Sequence, residues 1–273
     1  MTKSQFNNDI QNEQVVNRLI NKKLLESEIV DEIIETTPQE NWAGVDFKLK
    51  SKNIFGDDNG HNVDYKSAIN NRAVIGEGSI NTFAFELQYL GQNINNQEER
   101  PIRDGWLFGN QYNLTEYYLL SWIWVSDKNK RSNNIVLKED DIAEIEVILL
   151  IKDIVTNYLS SFGLRRENYH DKIDSFKEKV FRNIEDDGLK KKYNDREELI
   201  AAEISLNSFP KIKICEGKGG VQYERVVLPK LYYSKHLSEE PINVLIEKKT
   251  LIELSKDRGY HNKFQYKNNQ KLT

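Results

Sequence analysis

Residues 44–69, GVDFKLKSKNIFGDDNGHNVDYKSAI, contain two short apolar runs separated by a polar segment. In the first run Val45, Phe47 and Leu49 alternate with polar or charged residues, which predicts a half-buried strand. The second run, residues 63–69, predicts another strand, and the Gly, Asp and Asn residues between the two are typical of a turn. A short turn between neighbouring strands favours an antiparallel hairpin.

Both predicted strands of the hairpin carry charged side chains. Asp46 lies in the first strand, and Asp64 and Lys66 lie two residues apart in the second. Residues i and i+2 of a strand project from the same face, so Asp64 and Lys66 project together, and the hairpin can place Asp46 near them. Carboxylates that converge repel each other unless a cation lies between them, and their oxygens suit Mg²⁺. A lysine beside such an ion can orient a water or offset charge on a phosphate. The arrangement indicates metal-assisted phosphodiester hydrolysis.

The flanking sequence predicts a mixed α/β chain. Residues 9–35 have the apolar spacing of one or two helices, and TTPQENW then breaks that pattern. Residues 81–90, NTFAFELQYL, predict a third strand, and residues 114–125, LTEYYLLSWIWV, predict an aromatic strand near the centre of the sheet. Residues 146–163 and 243–259 each run from an apolar strand through lysine to a helical pattern that ends in glycine. Each of these two segments is typical of a β-α unit.

The order of these elements predicts one domain with an insertion. Residues 1–160 would form the core. Residues 161–210 are highly charged and have a helical composition, which predicts a charged helical insertion. Residues 211–273 would complete the same domain with a β-α unit and a glycine-turned hairpin at KIKICEGKGGVQYERVVL.

Composition narrows the class of protein. The chain has 273 residues, of which 38% are hydrophobic and 30% charged, as in a soluble folded protein. Its net charge of −4 argues against a general electrostatic coat for DNA but permits a local basic groove. Cys215 is the only cysteine, which excludes an intramolecular disulfide framework and a cysteine-based zinc site. The first residues lack a signal pattern and no apolar run is long enough to span a bilayer, so we expect a cytoplasmic protein without a membrane partner.

The hairpin, the strand that follows it, and the segments DGWLFG and LTEYYLLSWIWV together resemble the PD-(D/E)xK nuclease superfamily. This superfamily includes restriction endonucleases, junction resolvases and phage nucleases, and the later segments are similar to its phage- and plasmid-type members. The resemblance covers roughly residues 1–125. It implies a restriction-endonuclease-like core, in which helices flank a mixed β-sheet, and a metal-dependent DNA endonuclease that uses Mg²⁺ or Mn²⁺.

The resemblance also implies roles for particular residues. Asp46 would be the first acid and Asp64 the second, both binding the metal, and Lys66 would be the lysine of the motif. Glu86 would be an additional acid, acting as a further metal ligand or as a base through water. Glu13, in the leading helix, could fill an acidic position that some members have there.

The match to the family motif has departures and leaves one alternative open. Val45, and not a proline, precedes Asp46. In a second register Asp64 is the first acid, Glu86 and Gln88 form the second motif, and glutamine replaces lysine. His61 lies in the turn before Asp64 and is a further candidate to approach the scissile phosphate.

Two stretches interleave lysine with aromatic residues and predict local contacts with DNA, namely LPKLYYSKH and YHNKFQYKNNQK. Lysines neutralise phosphates, and aromatic rings stack on bases. The candidate DNA-binding residues are Lys230, Lys235, Lys263 and Lys267. We expect a homodimer, because cutting both strands of a duplex usually needs two sites. The alternatives are a non-catalytic nuclease-fold module that binds DNA or a protein partner, and a hydrolase that acts on RNA or nucleotides.

Overall fold

The structure is a computed structural model, and it describes residues 3–92, 99–182, 184, 186–206, 212–217, 220–225 and 227–266. The chain divides into two compact units, each made of separate pieces of sequence. The first unit comprises Met1–Asn81, Gln111–Val155 and Lys248–Thr273. The second unit comprises Thr82–Asn110 and Thr156–Glu247.

The described residues contain both helices and strands, so the chain is of the mixed α/β class. The helices are α1 (Lys3–Glu26), α2 (Pro38–Trp42), α3 (Lys52–Phe55), α4 (Lys152–Ser160), α5 (Tyr169–Phe181) and α6 (Lys248–Leu254). The strands of the first unit are β1 (Glu32–Glu35), β2 (Phe47–Lys50), β3 (His61–Ser67), β4 (Ala73–Val74), β7 (Tyr117–Val125), β8 (Ile142–Ile151) and β15 (Tyr260–Gln265). The strands of the second unit are β5 (Thr82–Leu90), β6 (Ile102–Asp104), β9 (Lys190–Tyr193), β10 (Leu199–Ser205), β11 (Ile212–Gly217), β12 (Gly220–Arg225), β13 (Lys230–Ser234) and β14 (Ile242–Glu247).

Within the described residues, a seven-stranded sheet forms the centre of the first unit. Its order is β1-β2-β3-β7-β8-β15, and β4 pairs with β7 at one end. The first three strands are antiparallel neighbours, which confirms the predicted hairpin of β2 and β3. β3 and β7 run parallel, and β8 and β15 then continue the sheet antiparallel. β7 is buried along its whole length, so the predicted aromatic strand is central.

Helix α1 packs its apolar side on one face of this sheet. Its buried residues recur at helical spacing and join the same core cluster as residues of β2, β3, β7 and β8. The buried residues of α1 are Val15, Val16, Leu19, Ile20 and Leu24. The predicted helix is wrong at its end, because α1 stops at Glu26 and residues 32–35 form β1. The β-branched Ile33 and Ile34 suit a strand, and pairing with β2 decides the outcome.

A buried asparagine fixes α1 to the loop before β8. Asn12 is 1% exposed, and its Oδ1 accepts a hydrogen bond from the N–H of Leu137 at 2.6 Å. Its Nδ2 donates to the carbonyl oxygen of Ile135 at 3.1 Å. The carbonyl oxygen of Ile135 also accepts a hydrogen bond from Arg72 Nη2 at 3.2 Å, so the buried N–H of Leu137 is the group that depends on Asn12.

A second polar cluster ties α6 and β15 to β8. Glu146 Oε2 lies 2.8 Å from Lys248 Nζ, and its Oε1 lies 2.9 Å from His261 Nε2. Burial alone would raise the pKa of Glu146, but the hydrogen bonds from Lys248 and His261 outweigh burial and lower it. Lys248 Nζ also lies 4.9 Å from the centre of the Trp122 ring, which adds a cation–π contact.

The second unit contains an antiparallel sheet with strand order β6-β5-β14-β13-β10-β9. β11 and β12 pair separately as the predicted hairpin. Residues 81–90 contain the predicted third strand, β5, but its neighbours are β6 and β14 rather than β3. The two predicted β-α units are present as β8 with α4 and β14 with α6, and their strands belong to different sheets.

The predicted helical insertion at residues 161–210 is only partly helical. Helix α5 buries Tyr169 and Ile173 among its apolar residues, but β9 and β10 follow it as an antiparallel pair. The lysines, glutamates and alanines of this segment favour a helix by propensity, and sheet pairing overrides that preference. The turn forms at Asn194, whose Oδ1 accepts hydrogen bonds from the N–H groups of Arg196 and Glu198, each at 2.9 Å.

None of the helices in the described part of the chain is long and apolar enough to cross a membrane.

Candidate functional site

The β2–β3 hairpin holds Asp46 against the middle of β3. Asp46 directly precedes β2, and its N–H donates to the carbonyl oxygen of Val63 at 2.9 Å. Its Oδ2 accepts a hydrogen bond from the N–H of Tyr65 at 2.7 Å. These two bonds flank Asp64 in the sequence, so the hairpin brings the two acids together as predicted.

Asp64 and Lys66 form a buried ion pair at this point. Lys66 Nζ lies 2.5 Å from Asp64 Oδ1, and the side chains are 27% and 1% exposed, respectively. The other oxygen, Asp64 Oδ2, is buried and accepts no hydrogen bond within the described residues. Burial raises the pKa of Asp64 to about 7, with Lys66 opposing the rise and the nearby Asp46 carboxylate adding to it. The two acids therefore repel each other at close range.

Several carboxylates stabilise the positive charge of Lys66. Burial alone would lower the pKa of the Lys66 ammonium, but Asp64, Asp46 and Glu13 outweigh burial and raise it. Glu13 lies on α1, so the leading helix contributes negative charge near the same group. The structure thus brings four of the predicted site residues into one electrostatic cluster.

The chemistry of this cluster fits a divalent cation held by two protein ligands. In the described ranges, no group of three or more His, Cys, Asp or Glu side chains is placed to hold a metal ion. Mg²⁺ is commonly bound by one or two carboxylates, with waters and substrate phosphate oxygens completing its octahedron. Asp46 and Asp64, with the unpaired Asp64 Oδ2, are the residues that would hold it.

Glu86 and Gln88 lie on β5 in the sheet of the second unit. Glu86 pairs with Asn243 in the ladder, and Gln88 Oε1 accepts a hydrogen bond from Lys177 Nζ. The neighbours of β3 are β2 and β7. The register that uses Asp46, Asp64 and Lys66 is therefore the one whose residues lie on adjacent strands, whereas the register with Glu86 and Gln88 draws on both units.

His61 points away from the ion pair. It begins β3, and the alternation of the strand places it on the face opposite Asp64 and Lys66. Its ring packs against Phe55 and Tyr117, with centroid distances of 4.2 Å and 5.5 Å. The structure therefore gives His61 a position in an aromatic cluster rather than beside the acids.

The predicted DNA-binding lysines that the structure describes are paired with carboxylates. The pairs are Lys230 with Glu203 at 3.0 Å, Lys235 with Glu240 at 3.4 Å and Lys263 with Glu144 at 2.5 Å. Lys263 belongs to strand β15 and lies 4.2 Å from the centre of the Trp124 ring. Lys267 lies outside the described residues.

A pocket of ≈560 Å³ opens beside Asp46. Residues of α1, of β1 and of α2 line it, and most of their contributing groups are polar. Its lining includes Asn17, Asn21, Glu35, Asn41, Trp42 and Asp46. Because Asp46 belongs both to this pocket and to the carboxylate pair, the pocket adjoins the candidate metal site.

Helix α2 presents a tryptophan at the rim of this pocket. The N–H of Thr37 donates to Glu40 Oε2 at 2.9 Å, and the N–H of Glu40 donates to Thr37 Oγ1 at 3.3 Å, which forms a capping box. Trp42 ends the helix and is 83% exposed. The sequence prediction missed α2, although Thr37, Pro38 and Glu40 carry its signal.

A glycine makes the turn from α2 into the site. Gly44 has a φ of +84°, and a Cβ there would lie 2.8 Å from Thr115 Oγ1. Thr115 Oγ1 donates to the carbonyl oxygen of Gly44 at 2.7 Å, so the glycine packs directly against the loop before β7. This close approach positions Asp46 two residues later.

Comparisons of this chain with models of protein families, with curated proteins and with solved structures find no match.

Proposed function

We propose that this protein is a metal-dependent DNA endonuclease that hydrolyses phosphodiester bonds at Asp46, Asp64 and Lys66. The observation that carries the proposal is the meeting of two acids and a lysine at the hairpin of β2 and β3, with one buried carboxylate oxygen lacking a partner in the described residues. The leading helix and the mixed sheet are also features that the resemblance to the PD-(D/E)xK superfamily implies, and they support a restriction-endonuclease-like core.

Each residue of the cluster has a distinct role in the proposed reaction. Asp46 and Asp64 would hold Mg²⁺ or Mn²⁺, which supplies Lewis-acid activation of the phosphate and of a bound water. Lys66 places a positive charge next to the phosphate and stabilises the negative charge that develops there. Glu13 helps to keep Lys66 protonated.

The test is cleavage of supercoiled plasmid, linear duplex and branched DNA in the presence of Mg²⁺, Mn²⁺ or EDTA. We expect metal-dependent cleavage by the wild-type protein. Asp46→Asn, Asp64→Asn and Lys66→Met should each reduce its rate by about 100-fold or more, because each removes charge that acts on the reacting phosphate. The preferred DNA form would identify the substrate structure.

Lys50→Met is the matched control. Lys50 lies on the neighbouring strand β2 and pairs with Glu32 at 2.7 Å, but this pair is exposed to solvent. The Lys50→Met variant should cleave DNA at the wild-type rate. Absence of cleavage with every metal and substrate, or cleavage that survives the substitutions in folded protein, would rule out this site as a nuclease centre.

The second candidate is a non-catalytic module that binds DNA or a protein partner. The burial of Asp64 favours it, because a side chain that is 1% exposed and paired with Lys66 can serve the fold alone. Under this proposal the Asp64→Asn variant would still bind DNA in EDTA, and no cleavage would occur with any metal.

Light scattering with and without DNA tests the homodimer that double-strand cutting would need.

A further inference from the structure

We propose that the pocket beside Asp46 binds a single unstacked nucleobase of the DNA substrate and prefers bases that carry an exocyclic amino group. This inference rests on the proposed function, because it takes the ligand of the neighbouring site to be a nucleic acid. It adds a substrate class to that function, namely DNA in which a base is unpaired or can leave the stack.

The size and position of the pocket suit one base. Its volume of ≈560 Å³ lies within the ~300–1,000 Å³ typical of sites for small ligands. Asn41 Nδ2 donates to Asp46 Oδ1 at 3.3 Å, so the wall of the pocket contacts the carboxylate pair directly. A base in the pocket would therefore belong to a nucleotide next to the phosphate at Asp46 and Asp64.

Trp42 provides a stacking surface that the fold itself does not use. It is 83% exposed, whereas Trp122 and Trp124 are 1% and 5% exposed. The capping box of α2 and the 2.6 Å ion pair between Glu40 and Lys48 hold the short helix in place. A large aromatic side chain on a fixed support is the usual platform for an unstacked base.

The polar lining favours a ligand that donates hydrogen bonds. Asn17 and Asn21 belong to the lining, but their Oδ1 atoms are buried beneath its surface. Glu35 and Asp46 add carboxylates to the same lining, and no lysine or arginine lines it among those residues. The lining therefore suits a neutral group rich in donors better than a phosphate.

This chemistry distinguishes among the bases. Cytosine and adenine present an amino group, N4–H₂ or N6–H₂, whereas thymine presents a carbonyl oxygen and a methyl group at the equivalent edge. An amino group can donate to the Glu35 and Asp46 carboxylates of the lining, while a thymine carbonyl would face them without a hydrogen bond. The pocket should therefore bind cytosine or adenine more tightly than thymine.

The experiment is a tryptophan-fluorescence titration of the full chain in EDTA, so that no cleavage occurs, with single-stranded decamers of dC, dA or dT. We expect the dC and dA decamers to bind several-fold more tightly than dT. Trp42→Ala should weaken their binding by about tenfold, as loss of base stacking does elsewhere, whereas Trp42→Phe should retain most of it. Binding of the variants is followed by fluorescence anisotropy of labelled decamers.

Two further variants separate stacking from recognition of the base edge. Glu35→Ala should reduce the preference over dT while leaving stacking intact. Tyr193→Ala, at another exposed aromatic on the edge strand β9, is the control and should bind like the wild type. Circular dichroism confirms that each variant is folded.

The outcomes distinguish this inference from the proposed nuclease activity. Binding that is unchanged in Trp42→Ala, or equal for dC, dA and dT, overturns the pocket assignment even if metal-dependent cleavage is intact. Base-selective binding that depends on Trp42 supports the pocket assignment, and it does so even if the cleavage assay shows that the neighbouring acids are not a nuclease centre.

Discussion

Substitution of Asn12 by alanine should destabilise the first unit by an amount that follows from its two hydrogen bonds. It leaves the buried N–H of Leu137 without its 2.6 Å partner, which costs about 1–3 kcal/mol. Loss of the 3.1 Å bond to Ile135 costs about 1 kcal/mol more. The higher helix propensity of alanine offsets roughly 0.5 kcal/mol of this destabilisation. The net loss is about 1.5–3.5 kcal/mol, or roughly 3–14 °C in melting temperature for a unit of this size.

Asn8 provides the matched control, because it lies one helical turn earlier and donates to Asn134 in the same loop at 3.2 Å, but in an exposed position. Asn8→Ala should therefore change stability by less than about 0.5 kcal/mol. Urea unfolding followed by circular dichroism gives the free energy of unfolding of each variant. The variants are compared with one common m-value, which is the slope of that free energy against urea concentration. If Asn12→Ala and Asn8→Ala have the same free energy of unfolding, the stabilising role assigned to the two hydrogen bonds of Asn12 is refuted.

Three other substitutions test separate parts of the first unit. Gly44→Ala puts a Cβ 2.8 Å from Thr115 Oγ1 at a positive φ, so we expect a loss of about 1–3 kcal/mol in thermal unfolding, and a neutral result would contradict the close packing. Glu146→Gln should cost roughly 3 kcal/mol near neutral pH. Folding lowers the pKa of Glu146, so this stabilisation is present above the unfolded pKa and is lost as the pH falls through the folded pKa. In urea unfolding, the wild type and Glu146→Gln should therefore differ in free energy of unfolding near neutral pH and become equal in acid. Tyr65→Phe removes the buried 2.9 Å bond to Ser121 Oγ and should cost about 1 kcal/mol by urea unfolding, and an equally stable variant would show that this bond adds nothing.

The parts of the fold that the sequence predicted correctly are those with strong local signals. The β2–β3 hairpin follows from the alternation of Val45, Phe47 and Leu49 and from the glycine-rich turn after them. The meeting of Asp46 and Asp64 then follows from the hairpin. The bulky aromatic residues of β7 indicated a strand near the centre of the sheet, which is where it lies.

The parts that the sequence did not predict depend on distant partners. Ile33 and Ile34 continue an apolar pattern that suits a helix, and only pairing with β2 makes them a strand. β5 carries a clear strand pattern, but nothing local shows that its neighbour is β14 rather than β3. The pocket was missed for a different reason, since its residues come from α1, β1 and α2, and no spacing rule joins them.

The chain passes from one unit to the other after Asn81, Asn110, Val155 and Glu247. This order affects how the protein folds while the ribosome synthesises it. Strand β8 lies between β7 and β15, and β15 is made more than a hundred residues after β8. During that interval the edge of β8 offers free backbone groups to any neighbouring chain. The nascent protein is therefore most prone to misassembly late in translation. Its yield in folded form should depend on how quickly the ribosome delivers the segment that contains β15.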